Sequence, residues 1–235
     1  LNTLDDLMYI NDGHTPYKFS IWGNGGLGYH PDINGGSLST ENLKNMLSGS
    51  YESDLNDKGQ FTVDRDLSGK RVKVYHNKDT GQTVVSHRGT HNLKDWGTDL
   101  GMALGYEGGN RFKHSRKIQR KAEKKYGTEN LTTIGHSLGA RLAEKYGQRG
   151  NEVITLNKPI IPRTFGKKIS GKQYDIRTTN DPVSALHFMQ NNDKMKTIDS
   201  STYNPLTEHK VEVLDRDDDI YGRGFLHDID RKIKH

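Results

Sequence analysis

The chain has 235 residues, a formal net charge of +5, 31% hydrophobic residues and no cysteine. Disulfides, thiolate metal sites and a cysteine nucleophile are therefore excluded, and no run approaches the ~18 consecutive apolar residues of a membrane span. The length suits one α/β domain with an irregular extension, and the positive surplus favours anionic partners: phospholipid surfaces, nucleic acid or an acidic protein.

Residues 1–40 read as an irregular Gly-rich extension, with Asn11 to Gly36 dense in Gly and dotted with aromatics. The chain opens on Leu1 without the charged and apolar regions of a secretory signal, which is expected to be absent or already removed. Residues 41–235 read as one α/β domain. Thr40 to Met46 starts like a capped helix, with Thr40 as N-cap. Arg71 to His76 alternates as a strand, Asn77 to Gly81 turns, and Thr83 to His87 returns. From Arg111 to Lys125 a basic helix carries eight Lys or Arg residues against the single Glu123. At helical spacing Phe112, Ile118 and Ala122 face inward and the cations face water. The plain reading is a solvated face, and the functional one is contact with an anionic membrane. Strands follow at Leu131, Glu152 to Leu156, Gln173 to Thr178 and Lys194 to Ile198, and the acidic run Asp215 to Asp219 reads as a loop. This alternation predicts an α/β fold with a mainly parallel central sheet and helices on both faces.

Leu131 to Ala143, LTTIGHSLGARLA, carries the chemistry. It reads as a short apolar strand, a sharp turn with Gly135-His136-Ser137-Leu138-Gly139, and a helix. That is the G-x-S-x-G nucleophile elbow with the flanks that give the pattern meaning, though the five residues alone recur by chance in glycine-rich chains. Ser137 sits at the apex as nucleophile, and the helix N-terminus behind it offers backbone N–H groups to a developing oxyanion. A serine nucleophile needs a base and an acid that orients it. Asp181, at the end of an alternating strand and followed by Pro182, fits the acid, whereas Asp175 lies mid-strand and fits less well. The order Ser, Asp, His leaves His187, His209, His227 and His235. His187 follows Asp181 too closely and His235 ends the chain, so His209 is the expected base with His227 as the alternative. His136 reads as scaffold. The oxyanion hole is expected from the N–H groups of Leu138 and Thr90, the latter in the strand-ending turn Arg88-Gly89-Thr90.

Taken in order, Arg88-Gly89-Thr90 with Asp95-Trp96, GHSLG, Thr155 to Pro159 and Asn180-Asp181-Pro182-Val183 resemble the class 3 lipases. The resemblance runs from about Val72 to Leu186. It implies an α/β-hydrolase fold and a lipase, phospholipase or esterase activity. By position, Ser137 matches the nucleophile, Asp181 the triad acid and Thr90 the oxyanion residue, with Trp96 a packing aromatic. The family spacing does not select one C-terminal histidine. The weakly apolar Gly101 to Gly109 stands where such enzymes carry a lid, and beside a basic helix it favours a phospholipid or a soluble ester over bulk fat. No metal and no cofactor are expected, since serine acyl transfer needs neither. Ile33-Asn34-Gly35-Gly36-Ser37 resembles the cleavage sites of adenovirus-like maturation proteases, which implies a virus-encoded lipase carried in the virion among capsid proteins. The rival reading is a non-catalytic hydrolase-fold scaffold, such as a virion component or a cationic binding protein. No nucleic-acid recognition motif is present, so no nucleic-acid partner is expected.

Overall fold

The computed structural model describes residues 18–20, 28–30, 38–90, 109–192 and 194–217. Asp95-Trp96, the segment 101–108, the Gly36–Ser37 bond, His227 and His235 lie outside the described residues. In the extension expected to be irregular, β1 (Lys18–Ser20) and β2 (Gly28–His30) pair antiparallel. In that register Phe19 stands opposite Tyr29.

Seven strands form the main sheet in sequential order. They are β3 (Thr62–Val63), β4 (Val72–His76), β5 (Thr83–His87), β6 (Leu131–His136), β7 (Glu152–Leu156), β8 (Gln173–Thr178) and β9 (Met195–Ile198). From β5 to β9 every pairing is parallel, as the alternation predicts, while β3 and β4 add an antiparallel edge. The antiparallel return follows from Asn77, whose Oδ1 accepts from the Asp79 and Thr80 amides at 2.9 and 3.2 Å and tightens the turn. β3 was not expected, because two residues are too short for an alternation to register.

Among the described residues four α-helices accompany the sheet: α1 (Thr40–Gly49), α2 (Asn110–Tyr126), α3 (Leu138–Tyr146) and α4 (Pro205–Glu208). Successive strand residues point to opposite faces. Val84 accordingly joins Leu43, Met46 and Leu47 of α1, while Val85 joins Ile118 and Ala122 of α2. The sheet is an α/β-hydrolase-like layer covered on both sides. The N-cap of α1 is Ser39, not Thr40: Ser39 keeps an extended backbone and its hydroxyl accepts from the Asn42 amide at 3.2 Å. The acidic run expected as a loop begins inside a 3₁₀ segment, Val211–Asp217, because Val213 and Leu214 bury themselves in the α1 core. Asp215 pairs there with Lys44. Among the described residues no helix is long and apolar enough to cross a membrane.

Candidate active site

β6 ends at His136, and α3 begins at Leu138. Ser137 between them has φ 56° and ψ −129°, a conformation that L-residues with a side chain avoid and that tight functional turns impose. Its amide donates to the Leu156 carbonyl at 3.0 Å, which fastens the apex to β7. Its Oγ is buried and, among the described residues, has no hydrogen-bond partner. The turn closes backbone against backbone. A Cβ on Gly139 would lie 2.0 Å from the His87 carbonyl oxygen, so only glycine lets α3 rest on the end of β5. Leu138 is fully buried, and as the first residue of α3 it presents one of the amides that no helical carbonyl can reach.

Asp181 and His209 are brought together. The His209 Nδ1 lies 2.6 Å from Asp181 Oδ1, with both residues buried. The second carboxylate oxygen of Asp181 accepts from the Ser184 amide at 2.9 Å and the Ser184 hydroxyl at 2.6 Å. A carboxylate only accepts, so the Nδ1–H donates to Asp181 and Nε2 is the ring nitrogen left for other partners. His209 caps the C-terminus of α4, whose Glu208 carbonyl accepts from Asn157 Nδ2 at 3.0 Å. Asn157 itself has φ 49°, and its Oδ1 accepts from the Thr178 amide at 2.9 Å. One carboxamide thus ties the end of β8 to the residue preceding His209.

His136, read from sequence as scaffold, lies between this pair and α1. Its Nε2–H donates to the His209 carbonyl at 2.5 Å, which leaves Nδ1 to accept from the Tyr51 hydroxyl at 2.7 Å. The imidazole rings of His136 and His209 are 4.8 Å apart, one residue from Ser137. Burial, and then the neighbouring His209, holds His136 down at about 3, so the ring is neutral at physiological pH.

Arg88-Gly89-Thr90 follows β5 as expected and packs on the elbow. A Cβ on Gly89 would stand 2.2 Å from the Tyr51 hydroxyl and 3.1 Å from the Ser137 Cβ. From the first turn of α2, Arg111 Nη2 donates to the Arg88 carbonyl and, at 2.6 Å, to the Gly89 carbonyl. Sequence reasoning missed Tyr51, Arg111 and Asn157 because their partners lie 85, 22 and 51 residues away, beyond any local pattern.

Beneath the elbow is a buried ion cluster. Lys158 Nζ lies 2.6 Å from Glu144 Oε2 and 2.6 Å from Asp175 Oδ2, and Arg141 pairs with the other Glu144 oxygen. Burial raises the Glu144 carboxyl, but Lys158 and Arg141 outweigh it and hold the group at about 2. Asp175, the lesser acid candidate, is consumed in this cluster and also accepts from Asn192 Nδ2 at 2.7 Å.

Along α2, Lys113, Arg116, Lys117, Lys121 and Lys124 are exposed on one face. Glu123 is buried and taken by Arg120 at 2.6 Å, while Lys125 pairs with Asp64 at 2.7 Å. The stripe starts at Lys113, two residues after Arg111.

A family model for a Tle-like phospholipase domain matches residues 37–198, which takes in Ser137 and Asp181 and ends before His209. Among solved structures the chain is similar to Lip2 lipase from Yarrowia lipolytica, at 17% identity and a TM-score of 0.46, covering 72% of this chain and 81% of that one. It is also similar to a triacylglycerol lipase from Penicillium expansum, at 13% identity and a TM-score of 0.40, covering 69% and 77%. No curated protein sequence matches it. The family model spans the sheet from the approach to α1 through β9, and the chain belongs to the Tle-like phospholipase domain family.

Proposed function

We propose that the protein is a serine hydrolase of lipid carboxylic esters, a phospholipase or acylglycerol lipase. In this reading Ser137 Oγ attacks the ester carbonyl while His209 Nε2 takes its proton. Asp181 holds the ring and balances the imidazolium, and the Thr90 and Leu138 amides receive the oxyanion. His209 then protonates the departing alkoxide, and water, activated by the same base, hydrolyses the acyl-enzyme on Ser137. The observation that carries the reading is the buried Asp181–His209 pair at 2.6 Å, whose base has its own carbonyl bonded to the residue before the nucleophile.

A lipid substrate is favoured by the segments that flank the pair in the chain. Leu186 and Phe188 are exposed on the segment after Asp181, and Tyr203 and Leu206 on the segment before His209. Large apolar side chains left in water beside a site suit an apolar acyl chain. The cationic face of α2 supports peripheral docking on an anionic bilayer, where each cation near the surface contributes about 1 kcal/mol.

Hydrolysis of p-nitrophenyl esters and of phosphatidylglycerol and phosphatidylcholine vesicles tests this. Ser137→Ala and His209→Ala are expected to stay folded and lose turnover by a factor of about 10⁴ or more. Wild-type rates in folded Ser137→Ala reject the mechanism. Sedimentation with the same vesicles tests docking: binding is expected only to phosphatidylglycerol, to weaken with salt, and to drop in Lys113→Glu/Lys117→Glu.

A further inference from the structure

Arg111 belongs by sequence to the cationic run, yet its guanidinium is turned inward. One terminal nitrogen, with its two N–H groups, meets two successive carbonyls, those of Arg88 and Gly89. In a trans peptide the C=O and the following N–H point in opposite directions, and no peptide described is cis. Fixing the Arg88 carbonyl therefore aims the Gly89 amide away from Arg111, and the Tyr51 hydroxyl packs against Gly89, 2.2 Å from where its Cβ would stand. Fixing the Gly89 carbonyl aims the Thr90 amide away from Arg111 in the same manner. The elbow lies against this same turn, since a Cβ on Gly89 would be 2.7 Å from the His136 carbonyl oxygen and 3.1 Å from the Ser137 Cβ.

We propose that Arg111 is the positioning residue of the oxyanion hole: by holding the Arg88 and Gly89 carbonyls it fixes the orientation of the Thr90 amide before substrate arrives. The inference rests on the serine-hydrolase reading. Preorganisation of donors is what makes an oxyanion hole effective, because a peptide free to rotate must be reoriented during the reaction. Arg111 never touches substrate; it acts through the peptide it holds. Burial lowers its guanidinium to about 10, still charged at neutral pH and still a donor to both carbonyls.

The test is steady-state hydrolysis of p-nitrophenyl butyrate by the full chain as wild type, Arg111→Lys and Arg111→Ala, with and without millimolar guanidinium or methylammonium. Loss of one oxyanion donor typically costs about 10²–10³ in kcat. Arg111→Ala is expected to lose about 100-fold in kcat with KM within about threefold, and guanidinium, but not methylammonium, to restore part of it. Arg111→Lys, which keeps the charge without the planar fork, is expected to fall between. Should Arg111→Ala not fold, a folded Arg111→Lys with wild-type kcat overturns the proposal, as does a loss confined to KM. A wild type without Ser137-dependent activity overturns the hydrolase reading instead.

Discussion

At the elbow the tightest turn is local: Gly135, Ser137 and Gly139 fold on one another, and a Cβ on Gly135 would lie 2.2 Å from the Gly139 carbonyl oxygen, with the backbone ends of β5 and β7 packed on it from outside. Around His209 nothing that matters is local. His136 holds its carbonyl from 73 residues away, Asp181 its ring from 28, and Asn157 the preceding carbonyl from 51. The nucleophile is thus placed by what its own segment can and cannot do sterically, whereas the proposed base is placed by an assembled network. Damage to the first should show as misfolding, and damage to the second as a misaligned but folded site.

Acid gives the largest expected effect and reaches both regions together. Burial is the main cause that holds His136 at about 3, beside His209, and His87 at about 4, under the elbow, against an ordinary 6.5. Between those limits these two imidazoles bind protons in the unfolded chain that they do not bind in the native one. Stability is therefore full well above pH 6.5 and is lost as pH falls toward 4, by roughly 3 kcal/mol per pH unit once both imidazoles are protonated in the unfolded state. Urea midpoints at pH 7, 5.5 and 4.5 measure this. His87→Asn, which spares the base side, is expected to halve the slope, and a midpoint unchanged from pH 7 to 5 contradicts the account.

Gly139→Ala breaks the elbow alone. Its nearest obstacles are the His87 and Arg88 backbones, which have no flexible end to yield. A cost of about 3 kcal/mol is expected, read as a fall in melting temperature, with activity lost in proportion to folded protein. A variant as stable as wild type would mean that α3 can lift from β5.

Asn157→Ala breaks the base side alone. It leaves the Thr178 amide and the Glu208 carbonyl unsatisfied at a buried position, worth about 2 kcal/mol. Turnover should drop about tenfold with KM little changed, because α4 shifts under His209. Asn157→Asp, which keeps the acceptor for Thr178 and loses the donor to Glu208, separates the two bonds. Equal kcat in all three forms would remove Asn157 from the base platform.

The same contrast explains what could be read from the sequence. Strands β4 to β9, the hairpin turn at Asn77, the inward face of α2 and the elbow all rest on periodicity or on turn chemistry, which are local. Asp181 was legible because Pro182 ends a strand behind it. His209 was the expected base with His227 as the alternative, but sequence spacing carries no distance across a loop and could not show that α4 and the Asn157 bridge set it against Asp181. Arg111 was hidden inside a run of cations whose other members face water: helical spacing separates apolar from polar positions but does not say which guanidinium turns inward. The Ser39 cap and the two-residue β3 were missed at the resolution of single residues, where two adjacent hydroxyl side chains compete for one capping role.

The Lys158 cluster has a consequence for how the molecule is made. Lys158, Glu144 and Asp175 are contributed by the segment after β7, by α3 and by β8. A folding species in which α3 and β8 had closed together without the Lys158 segment would enclose the Asp175 carboxylate without its cation, at a cost of several kcal/mol. Such half-assembled states are pushed off the landscape, and α3, β7 and β8 become a single cooperative unit. The amides of β7 and β8 are then expected to exchange with solvent in one step with those of α3, so the segment bearing the nucleophile and the strand leading to Asp181 gain and lose structure together.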